Sequence, residues 1–199
     1  MNSRPRRNRA SKTVRELVQE NRLHCEHLIY PLFIVDGSQI KEEIKSLPNN
    51  YRWSLDFMLI EIESCIKLGI KSFIIFPVIE EGLKNATATY SYSEQNFYLR
   101  AIAKIKKDFP EICLVSDVAM DPYSSDGHDG LVKNGQILND ETLPILAQMA
   151  VAQAAHGIDI VGPSDMMDGR IQYIREALDQ AGYVHTGIMA YSAKYASAF

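Results

Sequence analysis

Three places in the sequence end an apolar run with groups able to act as acid, base or nucleophile. Ser116-Asp117 leads into Val118-Ala119-Met120-Asp121-Pro122-Tyr123, Gly162-Pro163 into Ser164-Asp165, and Tyr191-Ser192-Ala193 into Lys194. A lysine at the end of a buried strand must reach water, pair with a carboxylate or give up its proton. At an ordinary pKa of about 10.4, roughly one such amine in 2,500 is unprotonated at pH 7. Desolvation or a nearby cation lowers the value to about 7–8 and turns the amine into a Schiff-base nucleophile. The competing reading of Lys194 is a snorkelling side chain, or an ion pair with Asp117 or Asp165.

Asp121, Asp126, His128 and Asp129 share a glycine-containing stretch that closes at Gly130. Carboxylate oxygens in such numbers suit magnesium or calcium, but the spacing does not fit an EF-hand loop. The alternative is a solvated loop built on Asx turns, with His128 exposed. His24 and His27 flank Cys25 and Glu26 at a spacing that belongs to no standard zinc site, and a structural role is expected. Glu80 and Glu81 read as a solvated loop. Ser164 has no evident histidine partner, so a serine-hydrolase triad is unsupported.

Positioning these groups requires a scaffold, and the periodicity supplies one. Ser11 caps a short helix with Val14, Leu17 and Val18 on one face, and His27 to Val35 reads as a strand ending at the Asp36-Gly37 turn. Ser54 is expected to cap a helix through Leu55, Leu59, Ile62 and Ile66 that Gly69 closes. The β-branched and aromatic run from Lys71 to Val78 reads as a buried parallel strand. A helix opens at Ser93 and stops near Pro110, and a third strand runs from Ile112 to Val118 with a long polar loop after it. An Ala-rich helix follows from Asn139 or Asp140 to His156-Gly157, a fourth strand over Ile158 to Val161, a helix from Met167 to Ala181, and a fifth strand over Val184 to Tyr191. Alternating βα units imply an α/β fold around a parallel sheet. With no G-x-G-x-x-G or Walker pattern after the first strand, a (β/α) barrel is favoured over a doubly wound open sheet.

The 199 residues are 46% hydrophobic and 23% charged, an ordinary globular balance that excludes global disorder. A formal charge of −4 recruits neither nucleic acid nor an anionic membrane, and the longest apolar runs are too short to span a bilayer. Cys25, Cys65 and Cys113 are odd in number and widely spaced, which reads as reduced thiols in a cytoplasmic protein. Arg4, Arg6, Arg7, Arg9 and Lys12 make a basic N-terminal arm with no apolar signal core behind it. Packing on another subunit is the expectation for that arm.

Several long motifs, in order, resemble the porphobilinogen synthase (5-aminolevulinate dehydratase) family. They are Tyr30-Pro31-Leu32-Phe33, the stretch Ser116 to Tyr123, Gly127-His128-Asp129-Gly130, Pro163-Ser164-Asp165-Met166-Met167-Asp168-Gly169, and the ending Met189 to Ser197 around Lys194. The resemblance runs from Arg4-Pro5-Arg6-Arg7 to the last residue. It implies a (β/α)8 TIM barrel with an N-terminal arm that embraces a neighbouring subunit, commonly in an octamer. It also implies condensation of two 5-aminolevulinate molecules to porphobilinogen with loss of two waters, in tetrapyrrole and haem biosynthesis. Lys194 matches one of the family's two Schiff-base lysines, Asp117 and Ser164 match positions that help hold a substrate amino group, and Tyr191 matches a neighbour of the lysine. Zinc-using members carry three cysteines where this sequence has Ala119, Asp121 and Asp129, so no active-site zinc is expected. The resemblance is to the aspartate-rich branch, with magnesium at a separate activating site whose main carboxylate ligand lies past Phe199.

The family's second lysine, in a Met-Val-Lys-Pro context, has no counterpart; Lys133 precedes Asn134 and is not a match. The expectation is therefore an arm and short helix over residues 1–24, then a partial barrel over 25–199 truncated after about five βα strands. Such a chain is expected to be inactive alone, or aggregation-prone through an unpaired strand edge. The alternative function is that of a non-catalytic homologue that binds or modulates the family's oligomers.

Overall fold

The computed structural model describes residues 3–195. Five strands follow one another around a parallel sheet: β1 (Ile29–Val35), β4 (Ser72–Val78), β5 (Cys113–Val118), β8 (Ile160–Pro163) and β9 (Gly187–Ile188). Each parallel step is bridged by a helix: α2 (Leu55–Lys67), α3 (Phe97–Asp108), α4 (Asn139–Ala155) and α5 (Arg170–Gln180). This is the α/β arrangement of the first five strands of a (β/α) barrel. The arm carries a short helix, α1 (Lys12–Leu17), capped by Ser11, whose hydroxyl accepts from the Val14 N–H at 3.1 Å.

The helices form where apolar residues recur at helical spacing. Met58, Ile62 and Cys65 of α2, and Tyr98, Ile102 and Ile105 of α3, are buried against the outer face of the sheet. Phe73 and Ile75 of β4, Leu114 and Val118 of β5, and Val161 of β8 meet them there. The alternate residues Ile74, Val115 and Asp117 belong to the inner face. A Cβ at Gly162 would stand 2.8 Å from the Ser116 carbonyl oxygen, so only glycine lets β8 lie this close to β5.

Several boundaries differ from the sequence reading. Two short pieces, β2 (Lys41–Glu43) and β3 (Tyr51–Trp53), pair with each other, and β3 adds in parallel to the end of β1. The polar loop after β5 contains a hairpin of β6 (Leu131–Lys133) and β7 (Gln136–Leu138). Such three-residue ladders fall below the length at which alternation is visible. Asn96 rather than Ser93 caps α3, accepting from the Tyr98 N–H at 3.0 Å. Ser54 bonds the Ile40 N–H at 2.8 Å and Asp56, tying the β2 segment to α2 instead of capping the helix. The fifth strand shrinks from the expected Val184 to Tyr191 to two residues, because only Ile160 and Val161 offer it a register.

Candidate active site

The carboxyl ends of β5 and β8 bring Asp117 and Ser164 together. Asp117 is the inward-facing residue near the end of β5, and Ser164 is the first residue past β8, its N–H donating to the Val118 carbonyl at 3.2 Å. The Ser164 hydroxyl donates to Asp117 Oδ1 at 2.6 Å. Asp117 is 6% exposed, and burial pushes its carboxyl up to about 7 against the lowering effect of the Ser164 bond. The Asp121 and Asp129 carboxylates add to the rise, while the Lys194 ammonium opposes it. A carboxyl poised near neutrality takes up or releases a proton readily, and an arriving cation drives it to the ionised form.

Lys194 reaches the same place from the segment after β9. Its Nζ donates to the Ser164 carbonyl at 2.8 Å and lies 3.8 Å from Asp129 Oδ2. The amine is therefore neither at the end of a buried strand nor paired with Asp117 or Asp165. Its side chain is 44% exposed, on a segment without regular secondary structure, because β9 ends at Ile188. Tyr191 lies between, its N–H donating to the Pro163 carbonyl at 3.3 Å. Its ring edge would be 3.6 Å from a Cβ at Gly162. Burial raises the Tyr191 phenol, and Asp117 raises it further. A cavity of about 370 Å³, lined by Ile29, Ile74, Met189 and Tyr191 among others, opens beside this cluster.

Asp165 has partners other than the lysine. It is 1% exposed, accepts from the Met167 N–H at 2.8 Å, and stands 3.5 Å from Arg170 Nε. Burial raises its carboxyl to about 6, with the Met167 bond and Arg170 opposing. Arg170, which nothing in the sequence singled out, also donates to the Met167 and Tyr191 carbonyls at 3.1 and 3.3 Å. It thereby ties the loop after β8 to the segment carrying Lys194. A lone arginine opening a helix after Asp168-Gly169 carries no local mark of that role.

The remaining candidates stay apart from this cluster. His128 is exposed, Glu81 pairs with Lys84, and His24 and His27 stack edge to face at 5.5 Å. Cys25, Cys65 and Cys113 are free thiols on separate elements. Ala119, Asp121 and Asp129 supply at most two carboxylates and no thiolate, a donor set that does not fit zinc. Partial desolvation and the neighbouring Asp129 raise the Asp121 carboxyl. Among the described residues no three His, Cys, Asp or Glu side chains converge on a metal position. No helix among the described residues is long and apolar enough to cross a membrane.

The family model for delta-aminolevulinic acid dehydratase matches residues 2–199. The chain belongs to that family. It is 50% identical over 197 residues to the delta-aminolevulinic acid dehydratase of Chlamydia pneumoniae, covering 99% of this chain and 59% of that protein. The Bacillus subtilis enzyme is 47% identical over 197 residues, with 99% and 60% covered. Among solved structures, delta-aminolevulinic acid dehydratase (porphobilinogen synthase) of Toxoplasma gondii, in complex with the reaction product porphobilinogen, superposes with a TM-score of 0.95 at 46% identity. That match takes in 100% of this chain and 56% of the Toxoplasma chain. The sequence thus spans somewhat more than half the length of the dehydratases it matches, and the part it spans carries the family's first barrel strands.

Proposed function

We propose that this chain carries the Schiff-base half of a porphobilinogen synthase site, with Lys194 as nucleophile. The observation that supports this most is the convergence of Asp117 and Ser164, from the ends of β5 and β8, with Lys194 from the segment after β9, within a chain of the dehydratase family. The substrate, 5-aminolevulinate, is a γ-keto acid with an ammonium group beside the ketone. The buried Asp117 carboxylate and the Ser164 hydroxyl suit that ammonium. Its charge offsets the desolvation that holds Asp117 near pH 7, so docking releases the carboxyl proton.

The Lys194 amine, once free, attacks the ketone carbon to form a C–N bond. Loss of the carbonyl oxygen as water leaves the imine. The imine nitrogen then accepts electron density, so the adjacent carbon loses a proton more easily during condensation with the second 5-aminolevulinate. Attack of a substrate amine on the imine carbon then breaks its bond to Lys194 Nζ and frees the lysine, and overall two waters leave. Tyr191, against Gly162 and lining the cavity, suits a neighbour of the reacting lysine. The oxygen donors at Asp121 and Asp129 support a zinc-free site. The resemblance to the family's aspartate-rich branch implies an activating magnesium at a separate site. The free cysteines suit a cytoplasmic setting. The arm, with Leu17 and Leu23 largely exposed, suits homo-oligomer assembly toward the family's octamer.

The test is borohydride trapping of the purified chain with 5-aminolevulinate, followed by intact mass and peptide mapping. A single reduced adduct on Lys194, absent from Lys194→Arg, is the expected result. No adduct in a chain shown by circular dichroism to be folded would overturn the proposal and favour a non-catalytic role in family oligomers.

A further inference from the structure

The β4–β5 ladder stops one step short of the site, and two side chains from the helix layer take its place. Cys113 N–H donates to the Lys71 carbonyl at 2.9 Å, so the peptide groups of residues 71, 73, 75 and 77 face β5. Paired residues run from Ser72↔Cys113 to Ile75↔Ser116 and no further, although β1 follows β4 through Val35↔Val78. In a continued parallel ladder the Asp117 N–H would donate to the Ile75 carbonyl, and the Asp117 carbonyl would accept from residue 77. Residue 77 is proline and has no N–H.

The missing partners are replaced one for one. The Tyr98 hydroxyl of α3 is inserted between the strands, accepting from the Asp117 N–H at 3.1 Å and donating to the Ile75 carbonyl at 2.8 Å. The Asp117 carbonyl accepts from Gln153 Nε2 of α4 at 2.8 Å, and Gln153 Oε1 accepts from the Ser116 hydroxyl at 2.6 Å. Tyr98, Gln153 and Ser116 are all essentially inaccessible to solvent. Burial raises the Tyr98 phenol well above its ordinary value, so it remains a hydroxyl donor at any working pH. On its other edge Asp117 keeps its place opposite Gly162 of β8, the strand that leads to Ser164.

We infer that Tyr98 and Gln153 are positioning residues: together with Pro77 they release the end of β5 from β4 and hold the Asp117 peptide so that its carboxylate meets Ser164. This deepens the proposed function, since it rests on reading Asp117 and Ser164 as the pair that receives the substrate ammonium. A buried polar network that served only stability would leave the Asp117–Ser164 pairing unchanged when trimmed. A positioning network would not.

The experiment is a titration of the Asp117 carboxyl by carbon NMR, in the full chain without substrate. The groups facing that carboxyl are Ser164 and Lys194, Asp121 and Asp129 from the loop after β5, and the phenols of Tyr98, Tyr123 and Tyr191. None of the charged ones is altered by the variants. Tyr98→Phe and Gln153→Leu are each expected to raise the midpoint from about 7 by about one pH unit, the order expected when the ionised form loses one hydrogen bond. Ser164→Ala should give a similar rise. Either variant combined with Ser164→Ala should add nothing, because both act through the same bond. Should the larger changes prevent folding, Ser116→Ala frees only the Gln153 oxygen and should give a smaller rise of the same sign. An unmoved midpoint in folded variants, or a shift that adds in full to that of Ser164→Ala, overturns the inference. Borohydride trapping of the unmodified chain reports separately on Lys194, so failure of the catalytic reading leaves this result legible.

Discussion

Replacing Asp117 by asparagine should make the protein more stable at pH 8 and change little at pH 4.5. The carboxyl rises from 3.8 in the unfolded chain to about 7 in the fold, chiefly through burial. Between those values the unfolded chain ionises while the native state keeps its proton. Unfolding therefore releases a proton, and stability falls as pH rises. The interval is about three pH units, each worth about 1.4 kcal/mol, so ionisation costs the native state roughly 4 kcal/mol above pH 7. Asparagine retains an oxygen to accept from Ser164 and loses the charge, so a gain of about 2–4 kcal/mol is expected at pH 8. The assay is urea denaturation of wild type and Asp117→Asn across pH 4.5–8.5, comparing extrapolated stabilities at unchanged m-value. The difference should grow through the window between the two pKa values and level off above 7. A variant equally or less stable at every pH would refute the argument that burial of this carboxylate stores the energy a cationic substrate group releases.

Two further outcomes test the scaffold. Lys106 Nζ donates to the Ile112 carbonyl at 2.8 Å and pairs with Asp159 at 2.8 Å, and Asp159 also accepts from the Leu114 N–H at 2.7 Å, joining α3, β5 and β8. Lys106→Met should cost about 2 kcal/mol, read as a lower urea midpoint. Gly162→Ala places its Cβ 2.8 Å from the Ser116 carbonyl. It should cost about 1–3 kcal/mol by thermal denaturation and weaken borohydride trapping at Lys194, since β8 must move away from β5 and carry Ser164 with it.

The barrel strands were legible because buried parallel strands are written as unbroken β-branched and aromatic runs, as in Phe73-Ile74-Ile75-Phe76 or Leu114-Val115. Asp117, Ser164 and Lys194 stood out because each polar group follows such a run, where barrel folds place their chemistry. Three features depended on tertiary structure. The β2–β3 and β6–β7 pairs rest on backbone ladders of three residues a side, too short to leave a periodic signal. Lys194 carries no mark of its partner, since Asp129 and the Ser164 carbonyl meet it only after the chain crosses the strand ends. Tyr98 and Gln153 sit on helix faces where periodicity announces only burial. Their roles arise because Pro77, from another element, withholds the N–H that would have closed the ladder. Sequence by itself determined which segments are buried and which carry reactive groups, since burial follows from local apolar pattern. Tertiary structure decided which reactive groups touch, because hydrogen bonds between residues distant in the chain depend on register and strand spacing that no local pattern encodes.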